Sequence, residues 1–410
     1  MGEHSERLTA ELRAEISATG PIPFARFMDL CLYHPRYGYY TRGIGGGGGR
    51  DYLTSSGTHR IYGELLARQA EEMWRRLDRP RRFTFVEFGP GEGMFACDFL
   101  RAAAGLGDFV LALEYLLVET SPVLRERQRR RLDGAASGVP IDWTDAASLR
   151  RRAGGVRGCL FANEVIDAFP VHRLVGSPTG PREVHVGSRG GRLSEELLPL
   201  SSQAVAAFLA ASGVALEEGQ EIDLNLRAPE WVTDAVGLLA RGYLVVVDYG
   251  HEARDLYHPT RGRGTLLAYH RHRVSEDFLL RPGEQDLTAH VDFSSLSAAA
   301  RAAGARRLGL VTQSRFLLAL GALDRLPELH AERNERDRGG PGQGEILRER
   351  EAIKELVLPD RMGGRFRVLI IGVGDVSDDL EGLAPPWQRE RGREGRAVRA
   401  SSGPDGHTTA

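Results

Sequence analysis

Apolar residues recur along the chain with two different periods, and the switches between them divide it. FTFVEF (83–88), YLLVE (115–119), GCLFAN (158–163), GYLVVVDYG (242–250) and RFRVLIIGV (365–373) are short runs of β-branched and aromatic residues bounded by Gly, Pro or charged positions. Such runs predict strands, and Val139–Trp143 is a weaker one. Helical spacing holds between them. Over residues 60–77 it places Ile61, Leu65, Leu66, Ala70, Met73, Trp74 and Leu77 on one side, and it returns at 93–104, Pro122–Leu132, 293–304 and 313–330. GYLVVVDYG is apolar on both faces, as a strand in the middle of a parallel sheet covered by helices must be. The alternation predicts an α/β, doubly wound, mainly parallel sheet.

The flanks read differently. Residues 5–18 and 22–33 predict two helices, the second opened by Gly20-Pro21-Ile22-Pro23, since proline is tolerated in a first helical turn. HPRYGYY (34–40) reads as a turn-rich aromatic segment, and Gly45 to Gly49 as a mobile loop. About 80 residues separate the fourth strand from the fifth, far more than a crossover needs. They hold strand-like stretches (Val171–Leu174, Glu183–Val186, Arg192–Leu197) and helical ones (201–212, 229–240). The chain is therefore divided into an N-terminal helical segment (1–78), a first core half (79–170), an inserted lid or substrate subdomain (171–241) and a second core half (242–375). A disordered tail (376–410), poor in apolar residues, completes it. The segment 331–345, AERNERDRGGPGQGE, reads as a mobile loop.

Composition narrows the function classes. At 410 residues and 41% hydrophobic content the chain can bury a sizeable core. A formal net charge of -2 gives no bulk attraction for nucleic acid, and no apolar run is long enough to predict a membrane span. The charged N-terminus has no apolar signal-peptide region. Cys31, Cys97 and Cys159 form no CxxC pair, so neither a disulfide framework nor a zinc site is expected, and a cytoplasmic location follows. His290 and Asp292 alternate along an extended stretch but make a poor metal site by themselves. Oligomeric state is left open.

The chemistry concentrates at strand ends. In Glu87-Phe88-Gly89-Pro90-Gly91-Glu92-Gly93 a strand gives way to a helix through a loop of glycines, which let a ligand approach the backbone. The dinucleotide fingerprint would need Gly or Ala at 94, where Met94 stands. The pattern E-x-G-x-G-x-G suits S-adenosylmethionine instead: that cofactor has no pyrophosphate to cradle, and Glu87 is a suitable neighbour for its ammonium and sulfonium charges. Glu119, ending the second strand, is placed to accept both ribose hydroxyls, a role shared with NAD-binding folds. Asp142, beside Trp143, is a candidate for the adenine edge. After the fourth strand, Asn163, Glu164 and Asp167 put an amide and two carboxylates within one helical turn, at the carboxyl edge where ligands bind in such sheets. Two carboxylates can clamp a guanidinium and aim its lone pair at a methyl group, although Asn163 or Asp167 as a plain helix cap is the competing account. At Asp248-Tyr249-Gly250-His251, Tyr249 or His251 facing the acceptor and an ordinary strand-end turn both stay open.

Beyond these readings, GPIPFARFMDLCLYHPRYGYY, DYLTSSGTH, VEFGPGEG, NEVIDAFPVHRL, VVVDYGH, PGEQDLTAHVDFSSL and LPDRMGGRFRVL together resemble the MidA-like family of class I S-adenosylmethionine-dependent methyltransferases, which includes the mitochondrial protein arginine methyltransferase of respiratory complex I assembly. The resemblance runs from Gly20 to about Val373. It implies a Rossmann-like seven-stranded sheet with an insertion, a cofactor loop of Glu87, Gly89, Gly91 and Gly93, a ribose held by Glu119, and Asn163, Glu164 and Asp167 beside the acceptor. It implies a protein substrate, with a small-molecule acceptor or a non-catalytic assembly role as the alternatives. The chain departs from the family pattern at Glu92, where arginine is usual, in its five-glycine run, and at Ser55-Ser56-Gly57-Thr58, where T-S-P-E is usual.

Overall fold

The computed structural model describes residues 2–43, 55–135, 138–324 and 343–385. Strands are numbered β1 to β16 along the chain. The central sheet has the order β15 (Arg306–Thr312), β16 (Phe366–Val373), β10 (Leu239–His251), β5 (Val156–Asn163), β2 (Phe83–Phe88), β3 (Leu113–Val118), β4 (Ile141–Thr144). From β10 through β4 every neighbour is parallel; β16 alone of the seven runs against the others. A two-residue strand, β14 (Val291–Asp292), extends the sheet at Gly250 and His251.

The two faces of this sheet carry separate cores, and β10 shows why. Its Tyr243, Val245 and Val247 point into one and Leu244 and Val246 into the other, all buried. Alternation sends successive side chains to opposite faces, so a strand covered on both sides must be apolar throughout. The helices Ile61–Arg76 and Met94–Ala103 pack on the first face. Arg227–Leu238 and Phe293–Ala302 pack on the second.

A second, antiparallel sheet has the order β1 (Ile22–Pro23), β7 (Arg182–Arg189), β6 (His172–Val175), β9 (Glu221–Leu224), with β8 (Arg192–Leu198) on the other side of β7. A small third sheet joins β12 (Arg273–Ser275), β11 (Leu267–His270) and β13 (Asp286–Thr288). Helices Glu3–Thr19 and Phe24–Tyr33 bury Leu8, Leu12, Phe24 and Phe27 with Val186 of β7 and Ala268 and Leu287 of the small sheet.

Several expectations change. Ile22–Pro23 is a strand on the inserted sheet rather than the start of the second helix, because its N–H and C=O groups find partners at Val186 and His185. Helix Arg227–Leu238, expected within the insertion, buries Val232, Ala235 and Val236 in the central core. β15 has no counterpart in the apolar pattern, since RRLGLVT is too charged at its start to read as a strand; its partners on β16 supply the ladder. The tail expected to be disordered from 376 is ordered to 385: Val376 and Leu380 are buried in the core, and the Gly382 N–H donates to Gln69. The rest of that tail, the glycine run 45–49 and most of the 331–345 segment lie outside the described residues.

Candidate active site

A cavity of about 390 Å³ opens at the carboxyl ends of β2, β3 and β5, where the strand order reverses, and is large enough for a nucleoside-sized ligand. Its floor is the loop 87–92. Gly89, Gly91 and Gly93 have φ of 62, 53 and 76°, a left-handed region that side chains disfavour. A Cβ on Gly89 would lie 2.9 Å from Val165, so this loop is both bent and crowded from below.

Glu87 is buried on the same face of β2 as Phe83 and Phe85, and the Tyr115 hydroxyl donates to it at 2.7 Å. Burial pushes the Glu87 carboxyl up to about 8, against the pull of that hydrogen bond. Glu119 follows β3 at the cavity wall, its carboxyl raised by burial. The Ser121 N–H donates to its Oε1 at 2.8 Å. Gln128, fully buried on the helix Pro122–Leu132, donates from Nε2 to Glu119 Oε2 (3.2 Å) and to the carbonyl of Gly91 (2.7 Å). Its Oε1 accepts from the indole N–H of Trp143 at 2.8 Å. One side chain thus ties the glycine loop, the β3 carboxylate and β4 together. Nothing in the pattern of the sequence marks Gln128, which reads as one polar position on a charged helix.

Asp142 is not part of this cavity. It is exposed on β4 and borders a separate depression with Arg82, Glu114 and Arg152, because Trp143, not Asp142, points to the cofactor-loop side of the sheet. The expected adenine contact from Asp142 is therefore corrected.

At the far end of the cavity lie Asn163 and Glu164 with Tyr33 and Tyr40. Glu164 has a left-handed φ of 53°, uncommon for a residue with a side chain. Its N–H donates to the carbonyl of Val247, and the Ser55 N–H (2.8 Å) and Asn163 Nδ2 (3.0 Å) both donate to its Oε1. Tyr62 donates to Asn163 Oδ1 at 2.5 Å. Burial raises the Glu164 carboxyl to about 8, with Asp167 and Asp286 adding repulsion against the Ser55 N–H. Asp167 is buried behind this wall. Tyr249 donates to its Oδ2, while Oδ1 makes no well-formed hydrogen bond and has only the N–H groups of Asp167 and Ala168 nearby. Burial lifts Asp167 to about 6. Asp248, also fully buried and raised well above the usual range by burial and these two neighbours, accepts from the N–H groups of Ile166 (3.0 Å) and Asp167 (3.2 Å). It holds the 163–167 turn, a role its strand-end position left ambiguous. Tyr40, stacked on Tyr33 at 5.7 Å, donates to both oxygens of Asp286 (2.8 and 3.0 Å), so the aromatic segment 34–40 forms part of the site.

Of the remaining candidates, Asp292 caps the helix Phe293–Ala302, accepting from Ser294 and Ser295. Among the described residues no group of three or more His, Cys, Asp or Glu is arranged to hold a metal, and no helix is long and apolar enough to cross a membrane.

The family model described as a putative S-adenosyl-L-methionine-dependent methyltransferase matches residues 65–311. A Drosophila melanogaster protein, the mitochondrial protein arginine methyltransferase NDUFAF7 homolog, is 31% identical over 91% of this chain and 86% of its own. The Rattus norvegicus mitochondrial protein arginine methyltransferase NDUFAF7 is 30% identical over 88% and 84%. A solved Burkholderia thailandensis structure, described as a candidate methyl transferase bound to S-adenosyl-homocysteine, superposes with a TM-score of 0.81 at 33% identity, covering 93% of this chain and 95% of that one. The expectation of a cytoplasmic location is overturned by the Drosophila melanogaster and Rattus norvegicus relatives, whose names place them in mitochondria.

Proposed function

Since the chain belongs to the S-adenosylmethionine-dependent methyltransferase family, we propose that its acceptor is an arginine side chain of a protein, held by Glu164 and Asp167. The observation that carries this reading is charge. Glu164 is half-buried at the acceptor end and Asp167 is buried behind it, and no ion pair engages either among the described residues. Buried carboxylates left so are costly unless a cation arrives, and a guanidinium offers two N–H groups in the plane a carboxylate accepts. The names of the curated relatives agree with this choice.

The cofactor supplies, when bound, a methyl group on a sulfonium that is already a good leaving group. The residues that would hold it are the 87–93 loop, Glu119 on the ribose and Glu87 near the positive end; the bare glycine backbone and the two carboxylates fit those groups. The protein's own work is then positioning and proton removal. Asn163, fixed by Tyr62, orients Glu164, and one of the two carboxylates, Glu164 on the cavity wall or Asp167 behind it, takes the proton lost by the methylated nitrogen.

The test is transfer of labelled methyl from the cofactor into lysate of cells lacking this protein, with amino-acid analysis of the labelled band. Methylarginine is expected. Glu164→Gln and Asp167→Asn should lose transfer while keeping S-adenosylhomocysteine binding. Label confined to small molecules, or full activity in both variants, would refute the assignment.

A further inference from the structure

A second cluster of charge lies one tyrosine away from the buried carboxylates, and it has the opposite sign. The Tyr249 ring, whose hydroxyl reaches Asp167, packs edge-on against His290 (5.6 Å between centroids) and Phe366 (5.2 Å). His290 lies 5.8 Å from the ring of His251, and the Arg261 guanidinium stands 3.0 Å from His251 Nε2. Arg365 and Arg367 flank Phe366. Among the described residues Arg261, Arg365 and Arg367 form no ion pair. Arg261 donates to the carbonyl of Asp255, and Arg367 to those of Gly364 and Phe366. Arg367 and His251 feel the carboxylate of Asp255 at a distance, and Arg261 borders a surface pocket together with Glu195, Glu221 and Glu276.

The two clusters do not neutralise each other. Burial, then His251 and the three arginines, lowers His290 to about 4, and burial with Arg261 and Arg367 also lowers His251. On the other side, Asp167, Asp248 and Glu164 are all raised. Direct pairing would shift both sets the other way. Tyr269 is raised by burial, then by Asp167 and Asp286, with Arg365 opposing, so it feels both clusters. The cations are half-buried or exposed at this rim; Asp167 and Asp248 are buried behind it and Glu164 is half-buried. A ligand carrying both charges would satisfy both clusters at once.

We infer that the Arg261–Arg365–Arg367 rim, with His251, is a docking site for an acidic side chain of the protein substrate, close in sequence to the residue that is methylated. This rests on the reading of the acceptor as a protein arginine. A carboxylate on the rim would be bound by charge-assisted hydrogen bonds from guanidinium groups whose geometry matches it. It would steer the acidic segment so that the neighbouring cation meets Glu164 and Asp167. The rim thus selects among arginines by what lies beside them.

The experiment uses the full chain saturated with S-adenosylhomocysteine and three fluorescent nonapeptides, each with one central arginine flanked by glutamates, glutamines or lysines. Anisotropy should give the glutamate peptide about tenfold tighter binding than the glutamine peptide, and the lysine peptide the weakest. Arg365→Glu, at an exposed position, should erase the preference and favour the lysine peptide; Arg261→Gln should reduce it. S-adenosylhomocysteine titration of each variant reports that the fold is intact. Equal binding of all three peptides by the wild type would overturn the docking site and leave the arginine reading standing. Binding of none of them, with the cofactor product still bound, would overturn both.

Discussion

Replacing Gln128 with leucine tests whether the cofactor site is held together by one buried amide. Leucine fills nearly the same space, so the packing of Gln128 against Gly93 is kept. What is lost is three hydrogen bonds, to the Gly91 carbonyl, to Glu119 Oε2 and from the Trp143 indole. A buried group left without its partner costs about 1–3 kcal/mol. Trp143 is half-buried and Glu119 borders the cavity, so water recovers part of that, and a net stability loss of about 2–4 kcal/mol is expected. The functional effect follows from Glu119. With the Ser121 and Thr120 N–H groups left to fix it, the carboxylate no longer faces the ribose in one orientation, and losing one charged hydrogen bond corresponds to at least ~10-fold weaker binding. The assay is calorimetric titration with S-adenosylhomocysteine, run beside adenosine so that the nucleoside end is read by itself. Gln128→Glu is the sharper companion: it keeps an acceptor for Trp143 but sets a carboxylate against Glu119, and its binding should recover as pH falls. If Gln128→Leu lost thermal stability yet bound both ligands as the wild type does, Gln128 would be a structural residue only, and the argument linking it to Glu119 would fail.

Three further outcomes follow from the same geometry. Glu87, ordinarily near 4.5, stands near 8 when folded, so the unfolded chain releases this proton first and rising pH favours unfolding. The ligand-free protein should therefore lose thermal stability between about pH 4.5 and 8, and Glu87→Gln should flatten that slope in melting curves; an unchanged slope would show that Glu87 is not the source. Binding of S-adenosylhomocysteine, whose ammonium favours the ionised carboxylate, should release a proton near pH 7. This would appear as a dependence of binding heat on buffer ionisation enthalpy and be absent in Glu87→Gln. Arg127 donates to Glu92 at 2.8 Å and to the Gly43 carbonyl at 3.0 Å, tying the cofactor loop to the segment before the glycine run. Because this pair is partly exposed, Arg127→Ala should cost under about 1 kcal/mol of stability while speeding product dissociation in stopped-flow fluorescence, and an unchanged off-rate would sink that link.

That Arg127–Glu92 pair also gives a physical account of one departure from the family pattern. The acidic residue at 92 does not sit as an unbalanced charge beside the cofactor, because a helix one strand away supplies its counter-ion.

Local pattern was enough for the parallel core. Period-two and helical apolar spacing, with glycine where the backbone turns left-handed, located β2, β5, β10 and the 89–93 loop, since these depend on burial and backbone geometry that neighbouring residues specify. It also put Asn163 and Glu164 at a strand end that borders the cavity, while Asp167 lies buried behind that wall. What the chain pattern does not encode is which face a polar side chain meets across elements. Asp142 and Trp143 are adjacent in sequence, and the register of β4 on β3 alone sends one to solvent and the other to Gln128. Tyr40 meets Asp286 across 246 positions, and Tyr62 meets Asn163 across 101. Such pairs form only once the sheets have docked, because a hydrogen bond is decided by a few tenths of an ångström in three dimensions and leaves no periodic trace along the chain. The buried cluster of carboxylates and the basic rim beside it, likewise, were assembled by tertiary contact from segments that each read as ordinary strand ends.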